Sequence, residues 1–255
     1  MNRALFWLFL IPILSVAAET KVKLPTSRTD LATGAKLFQN QCALCHGPKG
    51  EGGRGPMLAL PTLSRATDDE ALVRIIQQGI RGTEMPNAHS MSEHDVLQTA
   101  AFVRSLGKTP FKPPPGNPAH GSEIFRGKGG CAACHSIQGE GGISAPDLTA
   151  VGVSRSPGYL RESIVDPEAA VPDSYLLVKV ATKSGENVTG ARVNEDSFSL
   201  QIRDASGRSY SFWKSDIAQT EKMRGKSTMP SYKGRLSEEE VTDLVAYLAS
   251  LREGK

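Results

Sequence analysis

Two five-residue segments, Cys42-Ala43-Leu44-Cys45-His46 and Cys131-Ala132-Ala133-Cys134-His135, use all four cysteines of this 255-residue chain. Two cysteines separated by two residues on a tight helical turn place both sulfurs against the two vinyl groups of one haem. The histidine that follows can reach the iron. Either motif alone could be a redox dithiol or half of a zinc site, but no further Cys-x-x-Cys or His-x-x-x-His pair is left to complete a zinc set for each. The motifs therefore predict two covalent haems per chain, attached through Cys42 and Cys45 and through Cys131 and Cys134, with His46 and His135 as proximal iron ligands.

The sequence around the motifs repeats. Gly34 and Phe38 precede the first pair of cysteines, and Gly121 and Phe125 precede the second. Gly50-Glu51-Gly52-Gly53 matches Gly139-Glu140-Gly141-Gly142, and Pro56 with Leu58 matches Pro146 with Leu148. A Met-Pro pair follows in each half, at Met85 and at Met229, and Ser92, Phe102 and Leu106 recur with the same offsets as Ser237, Tyr247 and Leu251. A repeat of this kind sets the architecture before any local pattern does. Leu31, Ala35, Phe38 and Cys42 lay one apolar stripe along a helix leading into the first motif. Thr67 with Glu70, and Ser237 with Glu240, read as capping boxes that start helices. Ser156 with Pro157 starts another, which carries Leu160 and Ile164 and stops before Pro167. Residues 110–118 are too proline-rich for a helix and form an extended linker, dividing a first domain at 29–109 from a second at 119–255.

With the repeat in view, each half resembles a class I cytochrome c domain. The resemblance implies a mainly α fold of two tandem domains, and it implies that Pro56 and Pro146 present backbone carbonyls to the unligated ring nitrogens of His46 and His135. It also points to Met85, in the loop 79–86, as the distal ligand of the first haem, since a soft thioether suits iron and raises its potential. Met91, His89 and His94 lie close enough in sequence to compete, and Met57 is too close to His46 to cross to the distal side. Met229 holds the equivalent place in the second half but lies 94 residues after its histidine, against 39 in the first. Met223 competes there, without the proline that follows Met229.

The extra length is a strand-rich insertion at about 167–220. Segments 175–182, 187–194, 198–204 and 209–213 read as the strands of an antiparallel meander, separated by turn formers. A similar piece occurs in the haem-binding domains attached to bacterial sugar and alcohol dehydrogenases, which this half resembles. Phe198, Tyr210, Phe212 and Trp213 are then either a docking face or cover for the second haem, or packing for the inserted sheet.

Residues 1–18, a short apolar run after Asn2-Arg3 that ends in small residues, read as a cleavable export leader preceding a tail at 19–28, and an uncleaved anchor stays open. Export to the periplasm agrees with the resemblance, because haem is attached to such proteins on that side of the membrane. No other segment is apolar enough to span. Without Arg3 the chain has 29 basic and 27 acidic residues, and four haem propionates offset that excess, so the sequence pI of 8.6 is not a nucleic-acid signature. The function implied is single-electron transfer between an exported dehydrogenase and a downstream cytochrome or oxidase, with no catalytic residues of its own. The alternatives are a haem subunit of a larger enzyme, a peroxidase-like dihaem enzyme, which needs an open iron position, and a redox or gas sensor, which needs a labile ligand and an output module.

Overall fold

The computed structural model describes residues 21–107 and 112–252. The expected leader and the boundary between residues 108 and 111 lie outside the described residues. In the first half, α1 (Arg28–Gln41) runs into the one-turn helix α2 (Ala43–His46), followed by α3 (Asp69–Gln78) and α4 (Glu93–Leu106). In the second half come α5 (Pro118–Arg126), a tight turn at Cys131–Ala133, the short hairpin β1 (Ser136–Ile137) and β2 (Glu140–Gly141), α6 (Val151–Ser154) and α7 (Pro157–Val165). Strands β3 (Leu177–Thr182), β4 (Asn187–Glu195), β5 (Ser199–Arg203), β6 (Ser209–Trp213) and β7 (Ile217–Met223) follow, and α8 (Glu238–Ser250) closes the chain.

The helices begin where their caps require. Ser92 and Ser237 each accept a hydrogen bond from the third helical N–H, while Asp95 and Glu240 accept one from the N–H of the cap residue, a reciprocal box at the start of α4 and α8. The cap of α3 differs from the sequence expectation. Asp68, not Thr67, accepts from Ala71 N–H, because Glu70 is occupied elsewhere and accepts from Val22 N–H at 2.8 Å. Gly79 ends α3 at φ 69°, a conformation closed to most side chains.

In each half the first and last helices cross at a glycine. A Cβ on Gly34 would lie 2.1 Å from Gln98 O, and one on Gly121 would lie 2.1 Å from Asp243 O. The backbones can approach this closely only where the side chain is absent. Each crossing is flanked by a tilted aromatic pair, Phe38 with Phe102 at 5.3 Å and Phe125 with Tyr247 at 5.8 Å between ring centroids. Each also carries a polar tie between the two helices. Gln98 Nε2 donates to Asp30 Oδ1 at 2.8 Å, and His120 Nδ1 lies 2.7 Å from Asp243 Oδ2. The halves meet through backbone, with Met57 N–H donating to Ser154 O at 3.1 Å.

The inserted sheet is larger than expected. Its order is β6-β5-β4-β3-β7, antiparallel throughout. The fifth strand, β7, is absent from the expected meander and extends the sheet to Met223. It follows β6 in sequence yet pairs with β3, so β6 and β7 form the two edges of the sheet. Exposed polar residues dominate β7, and sequence alternation gives no sign of a strand there. Glu195 on β4 gathers Lys222 of β7 at 2.9 Å, Lys214 at 3.3 Å and Arg192 at 3.2 Å. Lys222 foremost, then Lys214 and Arg192, hold its carboxyl down at about 2. With this sheet counted, the description mainly α covers the first half better than the second.

Of the four aromatics weighed as a cover, Phe212 is buried in the sheet core with Val178, Val180, Leu200 and Ile202. Tyr210 stacks on Phe212 and donates its hydroxyl to Asp204. Phe198 and Trp213 face solvent, 74 % and 65 % exposed.

Candidate haem-binding sites

Each cysteine pair sits on a single helical turn, where the chain turns tightly enough to bring positions i and i+3 to one face. In the first half only Cys42 separates α1 from α2, and Cys45 N–H and His46 N–H both donate to Cys42 O. In the second, Cys134 N–H and His135 N–H both donate to Cys131 O, so the same turn recurs. All four cysteines are free thiols. Burial raises the Cys42 thiol to about 11 and pushes Cys131 up as well. Among the described residues no cluster of three or more His, Cys, Asp or Glu side chains is placed to hold a metal ion.

His46 Nδ1 lies 2.8 Å from Pro56 O and His135 Nδ1 lies 2.8 Å from Pro146 O. A carbonyl can only accept, so in both rings the proton is on Nδ1 and the lone pair is on Nε2. Burial pushes both imidazoles below their ordinary value, against a smaller opposing effect of the proline carbonyls, and Arg155 lowers His46 a little further. Both rings are therefore neutral bases with one free nitrogen, the form that binds iron.

Glycines make room around each motif. A Cβ on Gly55 would lie 2.8 Å from the His46 ring, and one on Gly142 would lie 2.1 Å from Ala133 O. The paired free thiols, the neutral imidazole with its tautomer fixed, and the side-chain-free loop beside it fit a haem in each half.

Met85 stands at the end of a tight turn, with Ile80 N–H donating to its carbonyl at 3.1 Å and its own N–H donating to Thr83 Oγ1 at 3.2 Å. An ion pair at 3.1 Å between Arg54 and Glu84 ties this turn to the loop that carries Pro56. The other residues weighed as ligands have these places. Met91 packs on the core of the first half, His94 is engaged with Gln98 and Asp30, and His89 is exposed. Met57 is buried. In the second half Met229 is partly buried against the core, whereas Met223 is a strand residue paired with Leu177.

Sequence reasoning missed Tyr232. Its hydroxyl is buried and donates to Gly129 O at 2.5 Å, joining the Met229 loop to the turn before Cys131. A signal for it existed, since Phe125 and Cys131 are six positions apart where Phe38 and Cys42 are four.

The model of the cytochrome c oxidase, cbb3-type, subunit III family matches residues 29–103, and that of the cytochrome c family matches residues 118–174. The chain is 35 % identical over 130 residues to the cbb3-type cytochrome c oxidase subunit FixPc of Rhizobium leguminosarum, covering 46 % of this chain and 44 % of the relative. It is 31 % identical over 168 residues to the FixP subunit of Rhizobium etli, covering 61 % of this chain and 56 % of the relative. The chain thus spans about half the length of the curated relatives it matches. Among solved structures it is similar to cytochrome cL of Methylophaga aminisulfidivorans, at 29 % identity and a TM-score of 0.30 over 31 % of this chain and 55 % of that one. No helix among the described residues is long and apolar enough to cross a membrane. Cytochrome c domains bind haem c and transfer electrons. The chain carries two such domains, the first of the kind found in subunit III of cbb3-type oxidases, and is a homologue of the FixP cytochromes.

Proposed function

We propose that the chain binds two haems c, one in each half, and relays single electrons between an exported dehydrogenase and a downstream cytochrome or terminal oxidase. The observation that carries this reading is the duplicated proximal arrangement, in which each Cys-x-x-Cys-His turn has its imidazole Nδ1 2.8 Å from a proline carbonyl. Cys42, Cys45, Cys131 and Cys134 attach the haems, His46 and His135 ligate on the proximal side, and Met85 and Met229 ligate on the distal side. When bound, each haem supplies a centre that gains and loses one electron at fixed coordination.

The protein's part is to hold that coordination constant. Pro56 and Pro146 fix the proximal rings and raise their basicity. The methionine thioethers favour the reduced state and keep the potentials high. If His46 with Met85 and His135 with Met229 hold the two haems, no open position would be left for a substrate, and outer-sphere transfer would be favoured over catalysis. The names of the relatives, as subunits of cbb3-type oxidases, support an oxidase as acceptor. The reading places the mature protein in the periplasm after removal of residues 1–18, with domains at 29–109 and 119–255 joined by the linker 110–118.

A haemochrome assay together with a redox titration that resolves two centres by spectrum tests this. The expected result is two haems per chain, a methionine-to-iron charge-transfer band from each ferric site, and loss of one high potential at a time in Met85→Ala and Met229→Ala. A high-spin, five-coordinate haem in the protein as isolated overturns it.

A further inference from the structure

Each distal loop carries an exposed ion pair, Arg54–Glu84 in the first half and Lys226–Glu168 in the second, and the second half has a buried hydrogen bond besides. In the first, the tie is the Arg54–Glu84 pair at 3.1 Å, whose side chains are 49 % and 43 % exposed. An exposed pair of this kind contributes little and is screened by salt. In the second half α5 stops at Arg126, and Gly127-Lys128-Gly129-Gly130 intervenes before Cys131. The helix no longer runs into the motif, and the Gly129 carbonyl is turned out of the helical ladder. The Tyr232 hydroxyl donates to it at 2.5 Å, and Tyr232 itself is 8 % exposed.

Tyr232 lies three residues after Met229, and its backbone N–H is pinned to Ile164 O at 3.0 Å. At the matched position of the first half, Ala88 N–H is pinned to Gln77 O at 3.2 Å. The backbone anchor is therefore common to both halves, but a methyl group cannot reach across to the attachment turn.

We infer that Tyr232 is a positioning residue that straps the Met229 loop to the turn bearing Cys131, making Met229 harder to displace from its haem than Met85. A buried hydrogen bond between two otherwise separate loops must break, and leave the Gly129 carbonyl unsatisfied, before the Met229 loop can swing away. The exposed pair of the first half exchanges its partners for water at little cost. The inference rests on the proposed methionine ligation of both haems.

The test is imidazole titration of the full-length ferric protein with both haems bound. The two sites are told apart by the hyperfine-shifted upfield methyl resonances that coordinated methionines show in the low-spin ferric form, assigned with Met85→Ala and Met229→Ala. In the wild type, imidazole should displace Met85 at about tenfold lower concentration than Met229, as expected from one buried hydrogen bond. High salt should loosen both loops alike, because the Met229 loop has its own exposed pair, Lys226–Glu168 at 3.1 Å, and should leave the difference between the sites in place. Tyr232→Phe should bring the second site to within about twofold of the first and leave Met85 unchanged. Equal displacement of both methionines in the wild type overturns the inference, as does a Tyr232→Phe protein that melts at lower temperature while its second site keeps its wild-type imidazole affinity. Absence of either coordinated-methionine resonance in the wild type would instead mark failure of the ligation reading.

Discussion

Replacing Gly34 by alanine probes the helix crossing on which the first haem motif depends. The new Cβ would lie 2.1 Å from Gln98 O, 2.6 Å from Gln98 C and 3.1 Å from Phe102 Cβ. The first two are backbone atoms of α4, so no rotamer change relieves the clash and the helices must part by roughly 1 Å to reach ordinary contact, enough to forfeit a quarter to a half of the local dispersion energy. Overpacking costs about 1–3 kcal/mol, and weakening the Phe38–Phe102 contact costs about 0.5–1 kcal/mol more. Alanine recovers close to 1 kcal/mol through its higher helix propensity. The net loss is about 2 kcal/mol, which lowers the melting temperature of a unit this size by roughly 8–16 °C. Thermal unfolding by far-ultraviolet circular dichroism measures it, with Gly158→Ala as the control. Gly158 lies in α7, where an added Cβ would have nothing within 4 Å, so that variant should match or exceed the wild type. A Gly34→Ala protein as stable as the wild type would refute the close-crossing argument.

Two further outcomes follow from the second half. Asp243 is held below its ordinary 3.8 by the His120 hydrogen bond foremost, and His120 is raised above its ordinary 6.5 by the same bond. The aspartate's contribution is complete above pH 3.8 and fades as pH falls through its lowered value, while the histidine's is complete below pH 6.5 and fades as pH rises through its raised value. The melting-temperature gap between wild type and Asp243→Asn should therefore peak at about pH 5 and narrow above neutrality, and a gap independent of pH removes the pair as its source. Ser237→Ala deletes the cap of α8, and should cost about 1 kcal/mol and speed amide exchange in the first turn of that helix. Unchanged exchange there would mean that packing alone holds the helix start.

Much of the proximal site was legible in the linear sequence because its chemistry is local. A Cys-x-x-Cys-His run brings the proposed ligand and attachment points within one turn, and the repeat shows that both halves are built alike. Ser237 with Glu240 and Ser156 with Pro157 were readable for the same reason, since a cap is decided within four residues. Thr67 with Glu70 failed because Glu70 had a partner 48 positions away at Val22, which no local window contains. β7 was missed because a strand whose residues are mostly exposed carries no apolar alternation, and it is defined by its pairing with β3.

The sequence by itself determined the two attachment motifs, their tandem repeat and the inserted strands, all of which rest on residue types at short, fixed spacing. Only the tertiary structure decided which histidine nitrogen is left free, where each methionine lies, and what ties the loops of Met85 and Met229 down. Those depend on groups such as Pro56 O, Leu177 and Gly129 O, brought together by the crossing of helices and the return of a strand, and contacts between distant residues are set by packing and not by spacing.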